Sequence, residues 1–90
     1  MAITLRVPSS LKKMLGGNEE TCCSGKTVEE CIDNLDKNFF GVKERLTEKG
    51  LTNSAVMVFL NGKNISNLNG LGATVQDGDE ISVIPFVAGG

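Results

Sequence analysis

Polar and apolar side chains alternate at the start of the chain. Residues 2–7 place isoleucine, leucine and valine at every second position, with threonine and arginine between them. This period of two predicts a strand with one buried face. Pro8 ends the strand, and Gly16-Gly17 predicts a turn. A weaker strand is expected over residues 19–24, so the first two strands should form a hairpin.

The next segment has the spacing of a helix. Thr27 and Glu30 are separated as in a capping box, which favours a helix start at this point. Gly41 is suitably placed to end the helix, and residues 42–49 could form a second short helix. The apolar positions follow the i, i+3, i+4, i+7 pattern of one buried face. They are Val28, Cys31, Ile32, Leu35 and Phe39.

The second half of the chain predicts three more strands. Residues 56–60 alternate in the same way as the first strand, and Asn61-Gly62 after them is a strong signal for a tight turn. A short strand over residues 63–65 then returns. The DGD turn at residues 77–79 leads into a last strand over residues 80–86. A proline near the end of that strand has no amide N–H, so regular pairing should fail around it.

The order of these elements predicts the architecture. The first and last strands can be parallel neighbours because the long middle section crosses over between them. One main helix then covers one face of a mixed sheet of four to five strands. We therefore predict an α+β protein with the β-grasp fold. Residues 1–86 would form the domain, and residues 87–90 a flexible C-terminal tail.

Composition narrows the possible functions. Ninety residues support a single core, and the net charge of −2 offers no basic surface for nucleic acid. No apolar run approaches the roughly 20 residues that a membrane span needs. The N-terminal run MAITLRV lacks a basic region followed by an apolar one, so we do not expect it to be a signal peptide. We expect a cytoplasmic protein that is monomeric when free. Histidine is absent and the cysteines number three, so neither a metal site nor a disulfide framework is expected.

The candidate chemistry lies at the last residues, Val-Ala-Gly-Gly. A frayed end is one interpretation of this sequence. The alternative is a thin probe whose Gly89 and Gly90 enter a narrow active site, because glycine has no side chain to obstruct the reacting carbonyl group. A carboxylate can be activated on the α-phosphate of ATP and then attacked by sulfur, which gives a thiocarboxylate. Nothing in the chain is suited to bind ATP, so a partner enzyme would perform the activation.

The tail and the strand before it indicate a family. The run DGDEISVIP at residues 77–85 and the ending VAGG resemble the C-terminal signature of small ubiquitin-like β-grasp sulfur carriers. This family includes the thiamine sulfur carrier, the small subunit of molybdopterin synthase and the carrier that supplies sulfide to cysteine synthesis. The FVAGG ending is most similar to the cysteine-synthesis type. The resemblance covers the tail closely and the rest of the chain by element order.

The resemblance implies a carrier rather than an enzyme. An ATP-dependent enzyme related to ubiquitin-activating enzymes would adenylate Gly90, and a synthase would accept the sulfur. The carrier itself would bind no cofactor. Two alternatives stay open, a protein modifier attached through Gly90 and a non-covalent interaction subunit. The residues expected to meet partners are Ile84, Phe86, Val87, Ala88 and Phe59, of which Phe59 could equally be core packing.

Two other motifs have simpler explanations. The SGKT run at residues 24–27 is similar to a phosphate-binding loop, but Glu20 stands where that motif needs its first glycine. A turn followed by a helix cap explains the run. Cys22 and Cys23 are neighbours on a predicted strand, so their side chains should point to opposite faces. Cys31 is expected to be a small buried apolar residue.

Overall fold

Five strands and one main helix form the described part of the molecule. The structure is a computed structural model, and it describes residues 2–43 and 56–85. Helix α1 spans Val28–Asp36. Most of the second helix predicted over residues 42–49 lies outside the described residues. The strands are β1 Ile3–Arg6, β2 Glu20–Cys23, β3 Val56–Leu60, β4 Lys63–Asn64 and β5 Glu80–Pro85.

The strands form one mixed sheet in the order β2-β1-β5-β3-β4. The hairpin predicted from the first two strands is present, since β1 and β2 pair antiparallel. The central pair, β1 with β5, is parallel, and β3 pairs antiparallel with both β5 and β4. The predicted element order and the crossover between the first and last strands are therefore confirmed.

Pairing along β5 extends further than its proline suggested. Pro85 is aligned with Val56 of β3, whereas β1 pairs with β5 only as far as Ser82. The expectation that pairing fails around Pro85 is therefore wrong on the β3 side. Among the described strands only β3 lies beside the end of β5, so the missing amide N–H of proline removes no bond to β1.

Alternate residues of the strands form the core. The covered face of the sheet packs against α1, whose Val28, Cys31, Ile32 and Leu35 are all buried. The helix starts as predicted, because the Thr27 hydroxyl oxygen accepts from the Glu30 amide at 3.1 Å. The strand residues buried on the covered face are Ile3, Leu5, Cys23, Val58, Leu60, Ile81 and Val83.

The helix is shorter than its apolar pattern. It ends at Asp36, before the Phe39 that the periodicity assigned to its face. The Asp36 carboxylate accepts from the amides of Gly41 and Lys43 at 2.9 and 3.1 Å, and so organises the chain after the last turn. Phe39 is half-buried and packs against the edge of the core. Its burial is thus achieved from a turn and not from the helix.

Short 3-10 segments connect the strands at two places. Ser9–Leu15 forms a 3-10 helix between β1 and β2 and buries Leu15. Two single turns, Ile65–Asn67 and Gly70–Gly72, follow β4. The first of these begins at a residue that was expected to continue the strand, and it buries Ile65.

The two predicted tight turns lie side by side and fix the start of β5. Asn61 and Gly62 have φ values of 51° and 87°, the positive pair that a two-residue hairpin turn requires. The Asn61 amide group donates to Asp79 Oδ1 at 3.0 Å, and its carbonyl oxygen accepts from the Glu80 amide at 2.9 Å. Asp77 accepts from the Ala2 amide at 2.6 Å. The acidic residues of the DGD turn therefore hold β5 beside β1 and β3.

Candidate functional site

The second face of the sheet carries the predicted partner residue Ile84. Along β5, Ile81 and Val83 are 0% and 3% exposed, whereas Ile84 is 41% exposed. Alternation along a strand places Ile84 on the face opposite α1. Ile84, one of the residues expected to meet partners, is therefore accessible from this face. We call this the open face of the sheet.

Two side chains of β3 extend the apolar surface around Ile84. Met57 is directly opposite Ile84 in the β3–β5 register, and Phe59 is opposite Ser82. Both alternate with the buried Val58 and Leu60, so they lie on the open face, and both are half-buried. We call Met57, Phe59 and Ile84 the apolar patch. Phe59 therefore belongs to the open face and not to the core.

Met57 is the residue that the sequence-based site prediction missed. The alternating pattern could have indicated it, because Met57 and Phe59 are two residues apart on one strand and so lie on the same face. The register was needed to show that it is the direct cross-strand neighbour of Ile84, where side chains are in closest contact.

A group of charges lies beside the apolar patch. Arg6 Nε is 3.2 Å from Glu20 Oε2 on β2, and it also pairs with Glu80 on β5. Arg6 is aligned with Ser82, which links it across β5 to Phe59. These three side chains are 60%, 54% and 42% exposed. We call Arg6, Glu20 and Glu80 the charged cluster.

The predicted tail residues lie outside the described part of the chain. These are Phe86, Val87, Ala88, Gly89 and Gly90, so the structure does not place them relative to the open face. What it does place is their attachment point, because β5 ends at Pro85, one residue after Ile84. Five residues could extend at most roughly 17 Å from that point.

Comparison with known proteins assigns the family. A family model described as the ThiS family matches residues 5–90. The chain belongs to the ThiS family. It is 31% identical over 93 residues to the sulfur carrier protein CysO of Mycobacterium tuberculosis, with all of both chains covered. It is also 38% identical over 64 residues to small archaeal modifier protein 3 of Haloferax volcanii, covering 71% of this chain and 70% of that protein.

A solved structure supports the fold of this ThiS-family chain. The crystal structure of the Amycolatopsis orientalis BexX/CysO complex contains a chain with a TM-score of 0.88 and 34% sequence identity. The match covers 99% of this chain and 100% of that one. The predicted α+β class and ubiquitin-like β-grasp fold are thereby confirmed.

The cysteines of the ThiS-family chain are divided between the two faces. Cys22 is exposed, whereas Cys23 and Cys31 are buried, as predicted. Burial, with a smaller effect from the neighbouring Cys31, raises the pKa of the Cys23 thiol from 9.0 to about 12. Burial also raises the pKa of Cys31. Both thiols are therefore protonated at neutral pH and poor nucleophiles.

The SGKT run is a turn and a helix cap, as predicted. Gly25 has a φ of 156°, and a Cβ placed there would come within 2.8 Å of the Cys31 amide nitrogen. Lys26 donates its amide to the Glu30 carboxylate at 3.0 Å, and Thr27 caps α1. A carboxylate thus occupies the place where a phosphate would have to bind.

The described residues contain a shallow groove, but no grouped metal ligands and no membrane-spanning helix. Across residues 2–43 and 56–85, no three histidine, cysteine or acidic side chains are grouped so that they could hold a metal ion. No helix in those residues is long and apolar enough to cross a bilayer. A shallow groove of about 320 Å³ between β2 and α1 includes Cys22, Cys23 and Asn34 in its lining. The Asn34 side-chain amide already donates to the Ser24 carbonyl at 2.7 Å.

Proposed function

We propose that this chain is a sulfur carrier that works through the carboxylate of Gly90. The observation that carries the proposal is the ThiS-family match, which runs through the β-grasp core to the final residue of the chain. Full-length similarity to a protein named as a sulfur carrier supports it. In this proposal residues 1–86 form the carrier body, and residues 87–90 form the tail that enters the active sites of partners.

The proposed chemistry has two steps. A carboxylate oxygen of Gly90 attacks the α-phosphorus of ATP, and pyrophosphate leaves, which gives an acyl-adenylate. A sulfur nucleophile then attacks the acyl carbon, and AMP leaves with the bonding electrons of the C–O bond. The result is a thiocarboxylate whose sulfur can attack an acceptor. The carrier is consumed and regenerated, so it acts as a co-substrate, and the partner enzyme supplies the ATP site.

The residues of the chain would divide this work. Gly89 and Gly90 would provide a terminus without side chains, which lets the carboxylate approach the nucleotide. Val87 and Ala88 would occupy the channel that leads to it. Ile84, Phe86 and Phe59 would dock the body, together with Met57 of the same apolar patch. Apolar side chains exposed together on a sheet are suited to such contact.

We propose cysteine, or a related sulfur amino acid, as the destination of the sulfur. The FVAGG ending supports this choice through its resemblance to the cysteine-synthesis type of carrier. Molybdopterin and thiamine are the next pathways to test. Incubating the thiocarboxylated protein separately with each of the three synthases and that synthase's acceptor substrate would identify the acceptor by loss of the thiocarboxylate.

The central experiment is intact-mass measurement. The full chain is incubated with the activating enzyme of its own organism, ATP and a sulfide source. We expect a mass gain that corresponds to replacement of one oxygen by sulfur, located on the C-terminal peptide. Deletion of Gly90, or one added residue after it, should abolish the gain while circular dichroism stays unchanged. Full pathway activity of the Gly90-deleted chain would contradict the proposal.

A second candidate function is protein modification through Gly90. Similarity to a protein named as a small archaeal modifier favours it, and the same acyl-adenylate could react with a lysine amine. Conjugates of higher mass in cells, lost on removal of the last two glycines, would support this alternative. Thiocarboxylate formation without any conjugate would exclude it.

A further inference from the structure

We infer that the charged cluster is part of the docking face, and that the activating enzyme presents a basic side chain opposite Glu20 and Glu80. This inference rests on the proposed function, because it concerns the surface that the activating enzyme would cover. It adds an electrostatic element that the apolar patch alone does not supply.

The register places the charged cluster next to the apolar patch. Ser82 is aligned with both Phe59 and Arg6, on the two strands that flank β5. Adjacent strands are about 4.8 Å apart, and alternate residues along a strand about 7 Å apart. Arg6, Ser82 and Phe59 therefore form one row across the sheet, with Arg6 about one strand spacing from Ser82 and about two, or roughly 10 Å, from Phe59.

A partner whose interface is centred on Ile84 also reaches the charged cluster. A stable protein interface buries about 800 Å² on each partner, which corresponds to a disc with a radius of about 16 Å. The spacing between strands puts Arg6 and Glu80 within that radius of Ile84. Contact with the apolar patch alone would leave an interface much smaller than this.

The charge of the cluster determines what the partner must bring. One guanidinium group faces two carboxylates, so the cluster carries a net charge of −1. Covering it would remove water from a carboxylate charge that Arg6 does not balance, which is unfavourable unless a cation replaces that water. A lysine or arginine of the activating enzyme would supply this cation. The two proteins must associate before Gly90 is adenylated, so steering by charge would act on the rate of association.

The alternative is that the cluster only supports the sheet. Exposed ion pairs across neighbouring strands contribute little to stability. If support of the sheet is their only role, removing any one of the three side chains should have the same kind of effect on partner binding. The two explanations predict different effects of removing Arg6 on partner binding. If Arg6 only holds the glutamates in place, its loss should weaken partner binding or leave it unchanged. If the partner is basic, loss of Arg6 makes the surface more negative and should strengthen the encounter.

The experiment measures association of single-charge variants with the activating enzyme of the same organism. The variants are Glu20→Gln, Glu80→Gln and Arg6→Gln, and the matched control is Glu29→Gln on α1, away from the open face. At about 20 mM salt we expect each of the two cluster glutamate variants to lower kon about threefold, and Arg6→Gln to raise it by a similar factor. All differences should shrink at about 500 mM salt, and the control should match the unmodified chain.

Each outcome bears on one of the two claims. The unmodified chain could associate with the activating enzyme while all three variants bind as it does. That outcome would overturn this inference and leave the proposed function intact. The same holds if Arg6→Gln binds more weakly, or if the charge effects occur only with the sulfur-accepting synthase. No association and no adenylation of the unmodified chain would instead overturn the proposed function.

Discussion

The two faces of the sheet differ in how their side chains are buried. On the covered face Leu5 and Ile81 are fully buried and closed off by α1, which belongs to the same chain. On the open face their sequence neighbours Arg6 and Ser82 remain accessible, and Ile84 is an exposed apolar side chain. The chain therefore buries one face itself, while the other still has apolar side chains that a partner could cover.

This difference shows which interactions stabilise the fold and which are available for docking. Every buried side chain in the described residues is apolar or a thiol. The open face mixes apolar, hydroxyl and charged groups in a small area. Burial on folding is the source of the free energy that the covered face contributes, whereas the apolar side chains of the open face would contribute further burial only on binding. Paired substitutions on the two faces should separate these roles.

The largest effect on stability is expected from Leu5→Ala. The side chain is fully buried in β1, so its removal leaves a cavity and should lower the free energy of unfolding by about 3 kcal/mol. Thr4→Ala, one residue earlier on the open face, should cost about 1 kcal/mol or less. Urea denaturation followed by circular dichroism measures both. Equal losses for the two variants would contradict the assignment of faces.

A smaller loss is expected where the hairpin meets the covering helix. Gly25→Ala would put a Cβ 2.8 Å from the Cys31 amide nitrogen and from Glu30 Cβ, at a φ of 156°. We expect a loss of about 2 kcal/mol, since α1 must shift outward. Gly17→Ala is the control, because its φ is 97° but nothing lies within 4 Å of the added Cβ. It should lose about 1 kcal/mol, and an equal or greater loss than Gly25→Ala would rule out the steric explanation.

Much of the fold could be predicted from local patterns. A period of two gave the faces of β1, β3 and β5, and the capping spacing of Thr27 and Glu30 marked the start of α1. The end of α1 could not be predicted in this way. It depends on Asp36 binding amides several residues later, and Phe39 reaches the core from a turn that preserves the helical spacing of apolar residues.

The candidate site was less accessible to sequence reasoning. Exposure of Ile84 followed from alternation, because its position is opposite to that of Ile81 on one strand. The neighbours of Ile84 depend on register between strands that are distant in sequence. For this reason Met57 and the charged cluster emerged only from the structure. The roles of Gly89 and Gly90 remain a prediction from the tail sequence and the family resemblance.

The third prediction concerns pH and the covered face. The pKa of Cys23 is raised from 9.0 to about 12, first by burial and then by Cys31. Folding thus favours the protonated thiol, and its contribution to stability is complete below pH 9. As the pH rises from 9 to 12, the unfolded chain loses the proton first and the free energy of unfolding should fall. Urea denaturation at pH 8 and pH 10.5 measures this decline.

Cys22 provides the matched control for that measurement. It is the next residue along β2 but is exposed. Cys23→Ala should remove part of the decline between pH 8 and pH 10.5, whereas Cys22→Ala should retain most of it, because Cys22 is the smallest of the causes that raise the pKa of Cys23. If the two variants show the same pH dependence, deprotonation of the Cys23 thiol is not the cause.

The smallest effect on stability, and the clearest separation of the two faces, is expected from Ile84→Ser. The side chain is 41% exposed and lies on the open face, so the free energy of unfolding should change by less than about 1 kcal/mol. Affinity for the activating enzyme should nevertheless fall about tenfold, because an apolar group central to the docking face is lost. Asn67→Ser, an exposed change after β4, should alter neither quantity. Calorimetric titration with the enzyme and urea denaturation measure the two effects separately, and an Ile84→Ser chain that unfolds easily yet binds normally would place Ile84 in the core and not in an interface.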